Sequence, residues 1–225
     1  MTGPCNIGVL GSGPMGRGFA ALLARAGYQL TLGTRHPEAP ELSELPSAVR
    51  VSSFPEAATG GIVFIAVAHA AARDLVTSLA PHLAGKTLIS SNNAWIPADY
   101  AAAGLSSSLT EGSWMARLLP DTNVARAFSH INQRYLVPKA IAEPGQWAVS
   151  YATDDVASAA TVEDLIRAMG YVPYLLGTLA DSAPLDYHGV LSDRLLTPEQ
   201  MRAALNSSGR GCSQPADRAD IDAPG

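Results

Sequence analysis

Cysteine is scarce in this chain of 225 residues: there are two, Cys5 and Cys212, far apart and without Cys-x-x-Cys or metal-ligand spacing. That argues against a disulfide framework or a clustered metal site and fits a reducing, cytoplasmic setting. Basic clusters are missing too. Lys and Arg number 15 against 20 Asp and Glu, a formal net charge of -5, and no basic stripe offers itself to nucleic acid. Long apolar runs are also absent. The longest, from Ile62 to Ala72 and broken by His69, is too short to span a bilayer. The opening run is interrupted by Gly8, so no signal peptide is expected. What is present, 47% hydrophobic and 16% charged residues, suits a mildly acidic soluble globule with one core.

The informative stretch comes first. Cys5 to Leu10 is apolar and stops at glycine, Gly11-Ser12-Gly13-Pro14-Met15-Gly16 reads G-x-G-x-x-G, and Phe19, Leu22, Leu23 and Ala26 follow at helical spacing. A buried strand, a tight turn and a helix are therefore expected. In a dinucleotide site Gly11 permits the turn, Gly13 admits the pyrophosphate to the backbone, and Gly16 lets the helix pack on the strand. The helix start then faces the phosphates, and Pro14 suits its first turn.

Tyr28 to Leu32 reads as the second strand, ending at Gly33-Thr34-Arg35-His36. A carboxylate at this tip would accept from the ribose hydroxyls of NAD; here Thr34 and Arg35 suit the 2′-phosphate of NADP instead. His36 suits either the adenine side or an ordinary loop.

Further along, Ile62 to Val67 is continuously apolar, as in a central parallel strand. At its tip Val67, Ala68 and His69 are candidate coenzyme contacts, small Ala68 letting the coenzyme lie against backbone and His69 serving either catalysis or a helix cap. Gly85 to Ser90 is the next strand. The amides of Asn92 and Asn93 beyond it suit a nicotinamide carboxamide or a substrate carbonyl, and equally an Asx turn. Residues 94–111 read as a mobile loop, with Thr110 capping a helix through Leu119. Val124 to Phe128 is a strand whose tip, with His130, Asn132 and Gln133, is the expected substrate wall. His130 is a second catalytic candidate. Tyr135 and Lys139 match a Tyr-x-x-x-Lys pair, but Pro138 is expected to break the helix that pair needs. Asp154-Asp155 reads as a helix cap, Pro173 as the mark of an edge strand. The expected architecture is a Rossmann-type, doubly wound, mostly parallel α/β sheet. It forms one domain over residues 1–205 with a small helical extension, followed by a disordered tail over 206–225.

Gly-Ser-Gly-Pro-Met-Gly, the tip Gly33-Thr34-Arg35, the turn Val67-Ala68-His69, the strand from Val124 to Ile131, and Ala168 to Pro173 with Gly177-Thr178-Leu179 together resemble the NADPH-dependent F420 reductases. They also resemble the reductase domain of the STEAP metalloreductases. The likeness runs in order over residues 5 to 196. It implies NADP(H) on the strand tips, with Thr34 and Arg35 at the 2′-phosphate. It also implies a deazaflavin or flavin stacked on the nicotinamide between the region of His130 to Arg134 and the loop from Gly177 to Ser182. Asn92-Asn93 stands where that family often has a Pro-containing turn, and Asn132-Gln133-Arg134 where it has a small-residue loop. Two other functions fit the same glycines: an imine or carbonyl reductase resembling pyrroline-5-carboxylate reductase, and an NADP(H)-binding sensor without turnover. The expected partners are a small-molecule redox acceptor and a second copy of the chain, the homodimer resting on fold-level analogy.

Overall fold

The short apolar runs become strands, and segments with apolar residues every third or fourth position become the helices that cover them. The computed structural model describes residues 6–94, 97–102, 105 and 109–208. Cys5, Cys212, parts of the expected loop and the expected tail beyond residue 208 lie outside the described residues. The elements are β1 (Ile7–Leu10), α1 (Pro14–Arg25), β2 (Leu30–Gly33), β3 (Val49–Ser52), α2 (Phe54–Ala57), β4 (Ile62–Ile65), α3 (His69–Leu83) and β5 (Thr87–Ser90). They continue with α4 (Pro97–Ala102), α5 (Glu111–Leu118), β6 (Asn123–Ala127), α6 (Gln133–Ala142), β7 (Ala148–Thr153), α7 (Val156–Ala168), β8 (Val172–Gly177) and α8 (Pro198–Ser207), with a 3₁₀ turn at Leu179–Leu185.

The strands form one sheet in the order β3-β2-β1-β4-β5-β6-β7-β8, parallel throughout except where β6 meets β7. This is the expected Rossmann-type α/β domain. The chain winds one way from β1 to β3 and the other way from β4 onward. The carboxyl ends of β1, β2, β4, β5 and β6 therefore open on one edge, the place where such sheets bind ligands. Pro173 lies in β8, an edge strand, where its missing N–H costs no ladder bond on the open side.

Alternation along β4 shows how both faces are filled. Ile62 and Phe64 join the core under α1, α6 and α7, while Val63 and Ile65 join the core under α2, α3 and α5. Phe19 of α1 centres the first face, 4.9 Å from the ring of Phe64 and 5.1 Å, edge-on, from that of Phe128. Truncating a buried Phe of this kind costs about 3–5 kcal/mol. Thr110 accepts from the Ser113 N–H and Asp155 from the Ser158 N–H, so both expected caps form. Among the described residues no helix is long and apolar enough to cross a membrane.

Two local expectations are corrected. Helix α6 runs through Pro138 without breaking. Pro138 sits on its exposed side, where the carbonyl its ring leaves without a donor is open to solvent. Tyr135 and Lys139 thus do share a helical face, but Lys139 pairs with Glu143 at 2.7 Å and the Arg134 guanidinium lies over the Tyr135 ring, away from the cleft. At the other end α8 extends to Ser207, past the expected start of the tail at 206.

Candidate coenzyme and acceptor site

The turn after β1 is shaped by three glycines with different constraints. Gly11 has φ +117°, a left-handed backbone that side chains resist. A Cβ on Gly16 would stand 1.8 Å from the Gly11 carbonyl oxygen, so close packing of helix on turn excludes any side chain there. Gly13 is different. Its φ is an ordinary -67°, and a Cβ there would meet nothing within 4 Å. No intramolecular contact accounts for a glycine at this position, whereas close approach of a ligand would. Helix α1 starts at Pro14 with no side-chain cap, leaving its first amides for an anion.

Beside this turn the tip of β2 is drawn in by a hydrogen bond between the hydroxyls of Ser12 and Thr34, 2.8 Å. The His36 N–H donates to the Thr34 hydroxyl at 3.1 Å, and Arg17 donates to the Ser12 carbonyl at 2.7 Å. Arg35 and His36 are exposed. Two hydroxyls, a backbone amide and flanking guanidinium groups thus gather at one corner, a donor set that fits a phosphate.

At the tips of β4 and β5 lies a cavity of about 250 Å³ lined by Gly13, Pro14, Met15, residues 66–69, residues 91–93 and Gln133. Asn92 donates its amide N–H to the Val67 carbonyl, and its Oδ1, buried, has no hydrogen-bond partner among the described residues. An orphaned buried acceptor on a cavity wall fits the amide donor of a nicotinamide carboxamide. Asn93 is committed elsewhere: its amide donates to the carbonyls of Ser129, 3.1 Å, and Leu185, 3.3 Å, and it braces the wall.

Next to it a second cavity, about 350 Å³, is lined by Met15, Ser91, Phe128, Ser129, Ile131, Asn132, Gln133 and Asp193. Met15, Ser91 and Gln133 belong to both. The two spaces therefore adjoin across these three side chains, the arrangement two reacting rings require.

The histidines behave differently from one another. His69 does not cap α3, whose N-cap is Ala68. It lines the first cavity, stacks on Trp114 at 5.0 Å, and places Nδ1 3.4 Å from Glu111 Oε2. His130 is fully buried and absent from both cavities. Burial pushes its pKa down to about 4 against the opposing effect of the Ala148 backbone, so it is neutral at physiological pH and does not serve the substrate wall as expected.

Residues 6–94 match the family model described as NADP oxidoreductase, coenzyme F420-dependent. Over those residues the chain is similar to the F420-dependent NADP oxidoreductases. A structure from Arthrobacter sp. FB24, provisionally described as an F420-dependent NADP-reductase, superposes with a TM-score of 0.67 at 25% identity, covering 92% of this chain and 96% of that one. Metalloreductase STEAP3 of Rattus norvegicus is 29% identical over 186 residues, which are 80% of this chain and 36% of that protein. Pyrroline carboxylate reductase of Plasmodium falciparum, solved with NADP bound, shares the fold at 17% identity and a TM-score of 0.52, over 76% of this chain and 57% of that one.

The largest feature missed from sequence lies just beneath the first cavity. Arg126, the last residue but one of β6, is fully buried. Its guanidinium donates to the Asn92 carbonyl, to Asn93 Oδ1 at 3.2 Å and to Asp186 Oδ1 at 3.3 Å, and lies 3.5 Å from Glu111 Oε2. Burial pushes the Glu111 carboxyl up, but Arg126, His69 and the Ala94 amide together hold it below its ordinary value. For Asp186 burial wins, raising it to about 6 despite Arg126, with Glu111 adding to the rise. The cluster ties β5, β6, α5 and the 3₁₀ turn into one wall. The signal was a lone charge inside Val124-Ala125-Arg126-Ala127-Phe128: a cation in a strand covered on both faces demands carboxylates from elsewhere in the chain.

Proposed function

We propose that this protein binds NADP(H) across the carboxyl edge of its sheet and transfers hydride between it and a planar acceptor of the deazaflavin or flavin class, coenzyme F420 foremost. The carrying observation is the pair of adjoining cavities that share Met15, Ser91 and Gln133. In this reading the amides after Gly13 hold the pyrophosphate. Ser12, Thr34 and Arg35 hold the 2′-phosphate, with His36 alongside. Asn92 Oδ1 accepts from the carboxamide, Val67, Ala68 and His69 close the floor, and Asn132 and Gln133 face the acceptor.

The bound coenzyme supplies the hydride chemistry; the protein supplies position and a dry contact. Buried Asn93 and Arg126 act from behind, keeping Asn92 in place. The chain spans 35–36% of the curated metalloreductases it matches, and the proposed activity is that of the nucleotide-binding part alone. A homodimer that helps close the cleft, working in the cytoplasm, belongs to the same proposal.

The experiment is steady-state oxidation of NADPH, followed by its absorbance, against F420, FMN, ferric chelates and cyclic imines. Turnover is expected with F420 or a flavin. Turnover restricted to cyclic imines would favour the pyrroline-5-carboxylate reductase type of chemistry, and tight NADPH binding with no turnover would favour a sensor.

A further inference from the structure

Among the described residues two that are not glycine hold a left-handed backbone, Phe128 at φ 64° and Asp193 at φ 56°. Both line the same cavity, the larger one. Such a conformation is strained for a bulky residue such as Phe and persists only where the surroundings over-determine it, commonly at functional sites, whereas Asp reaches it more readily. For Phe128 the packing is evident: the ring is fully buried, edge-on to Phe19 and to Tyr171. Asp193 is exposed and has no such packing.

What Asp193 does have is a placed carboxylate. Its Oδ1 accepts from the Asn132 amide at 2.9 Å, and its Oδ2 takes no hydrogen bond among the described residues. The Asn132 amide cannot turn round, because its own Oδ1 caps α6 by accepting the Arg134 N–H at 3.1 Å. Its NH₂ therefore faces the aspartate. Gln133, the next residue, lines both cavities and adds a second side-chain amide. The wall thus offers one acceptor together with two side-chain amides that can donate.

The complement of that array is a carbonyl, an N–H and a carbonyl in sequence, the edge of a cyclic imide. We propose that Asp193, aided by Asn132 and Gln133, reads the imide edge of the acceptor ring and is the residue that sets acceptor specificity. This rests on the reading of the larger cavity as the acceptor's. Asp193 accepts the imide N–H, a charge-assisted bond, and the two amides donate to the flanking carbonyls. Flavins and deazaflavins carry this edge; cyclic imines, simple carbonyls and ferric chelates do not.

The test compares riboflavin with 3-methylriboflavin, whose imide nitrogen has no hydrogen to give, by flavin fluorescence titration of the full chain in the presence of NADP⁺. The unmodified protein should bind the methylated flavin about 10- to 100-fold more weakly, the worth of a hydrogen bond to a charged group. Asp193→Asn, which tolerates the left-handed backbone, should lose most of that ratio. Equal affinity for the two flavins in the unmodified protein overturns the inference, whether or not the variant folds. So does a ratio that Asp193→Asn leaves intact. Failure of both flavins to bind while NADPH still binds overturns this inference together with the acceptor reading, and leaves the coenzyme reading standing.

Discussion

Replacing Arg126 by Met keeps an apolar stem of similar length and removes the charge that holds two buried carboxyls together. Glu111 and Asp186 are 2% and 4% exposed, and the Glu111 N–H already donates to Asp186 Oδ2 at 3.1 Å. Without the guanidinium these two acids face each other in a dry site. Removing one partner of a buried pair costs about 3–5 kcal/mol, out of the roughly 5–15 kcal/mol that holds a domain folded. At about 2–4 °C per kcal/mol for a chain of this size, the melting temperature should fall by roughly 6–20 °C. The pH dependence is more diagnostic. Burial raises Asp186 from 3.8 to about 6 in the folded state, so the fold binds its proton more tightly than the unfolded chain does. Its ionisation therefore costs nothing below about pH 4, and the cost grows as pH rises through 6, reaching roughly 3 kcal/mol at neutral pH. Arg126 pulls both carboxyls down, so its loss raises both further and enlarges that cost. Thermal melts of Arg126→Met and the parent protein between pH 5 and pH 8 should show the gap widest at pH 8 and narrowing toward pH 5. A gap that is constant, or that widens on acidification, would refute this account of the cluster.

Other expectations are simpler. Gly13→Ala should melt at or slightly above the parent temperature, because its Cβ enters open space, yet bind NADPH at least tenfold more weakly by titration calorimetry; Gly16→Ala, with its Cβ 1.8 Å from a carbonyl, should lose stability as well. Arg35→Ala should weaken NADPH by roughly 10- to 100-fold and NADH hardly at all, and equal losses would remove the 2′-phosphate from that corner. Thr110→Val removes both the cap of α5 and the bond to the Leu179 carbonyl, 2.7 Å. It should cost about 1–2 kcal/mol in urea unfolding, and no loss would mean that the cap is idle.

Why some of this was legible in sequence and some was not follows from the range of the interactions. The phosphate turn, the strand runs and the caps at Thr110 and Asp155 are local: each is decided within a few residues, and the residue types say what the backbone needs. The continuously apolar Ile62 to Val67 announced a strand covered on both faces, which forms over Ile62–Ile65. Pro138 misled because its effect depends on whether the unmade hydrogen bond faces protein or water, which sequence does not show. His130 misled because a strand tip does not reveal whether the next side chain turns into the cleft or into the core. Arg126, Glu111 and Asp186 come from β6, α5 and the stretch after the 3₁₀ turn, and only the closed sheet brings them together. Asp193 reaches the wall of the larger cavity in the same way, from 61 residues beyond Asn132, its hydrogen-bond partner there.

The proposed hydride transfer requires a cleft that takes a coenzyme carrying a 2′-phosphate. Isothermal titration of the unmodified protein with NADPH and NADH tests it most directly. Saturable binding of NADPH is expected, at least tenfold tighter than that of NADH. Absence of any heat with NADPH, or equal affinity for the two, would contradict it.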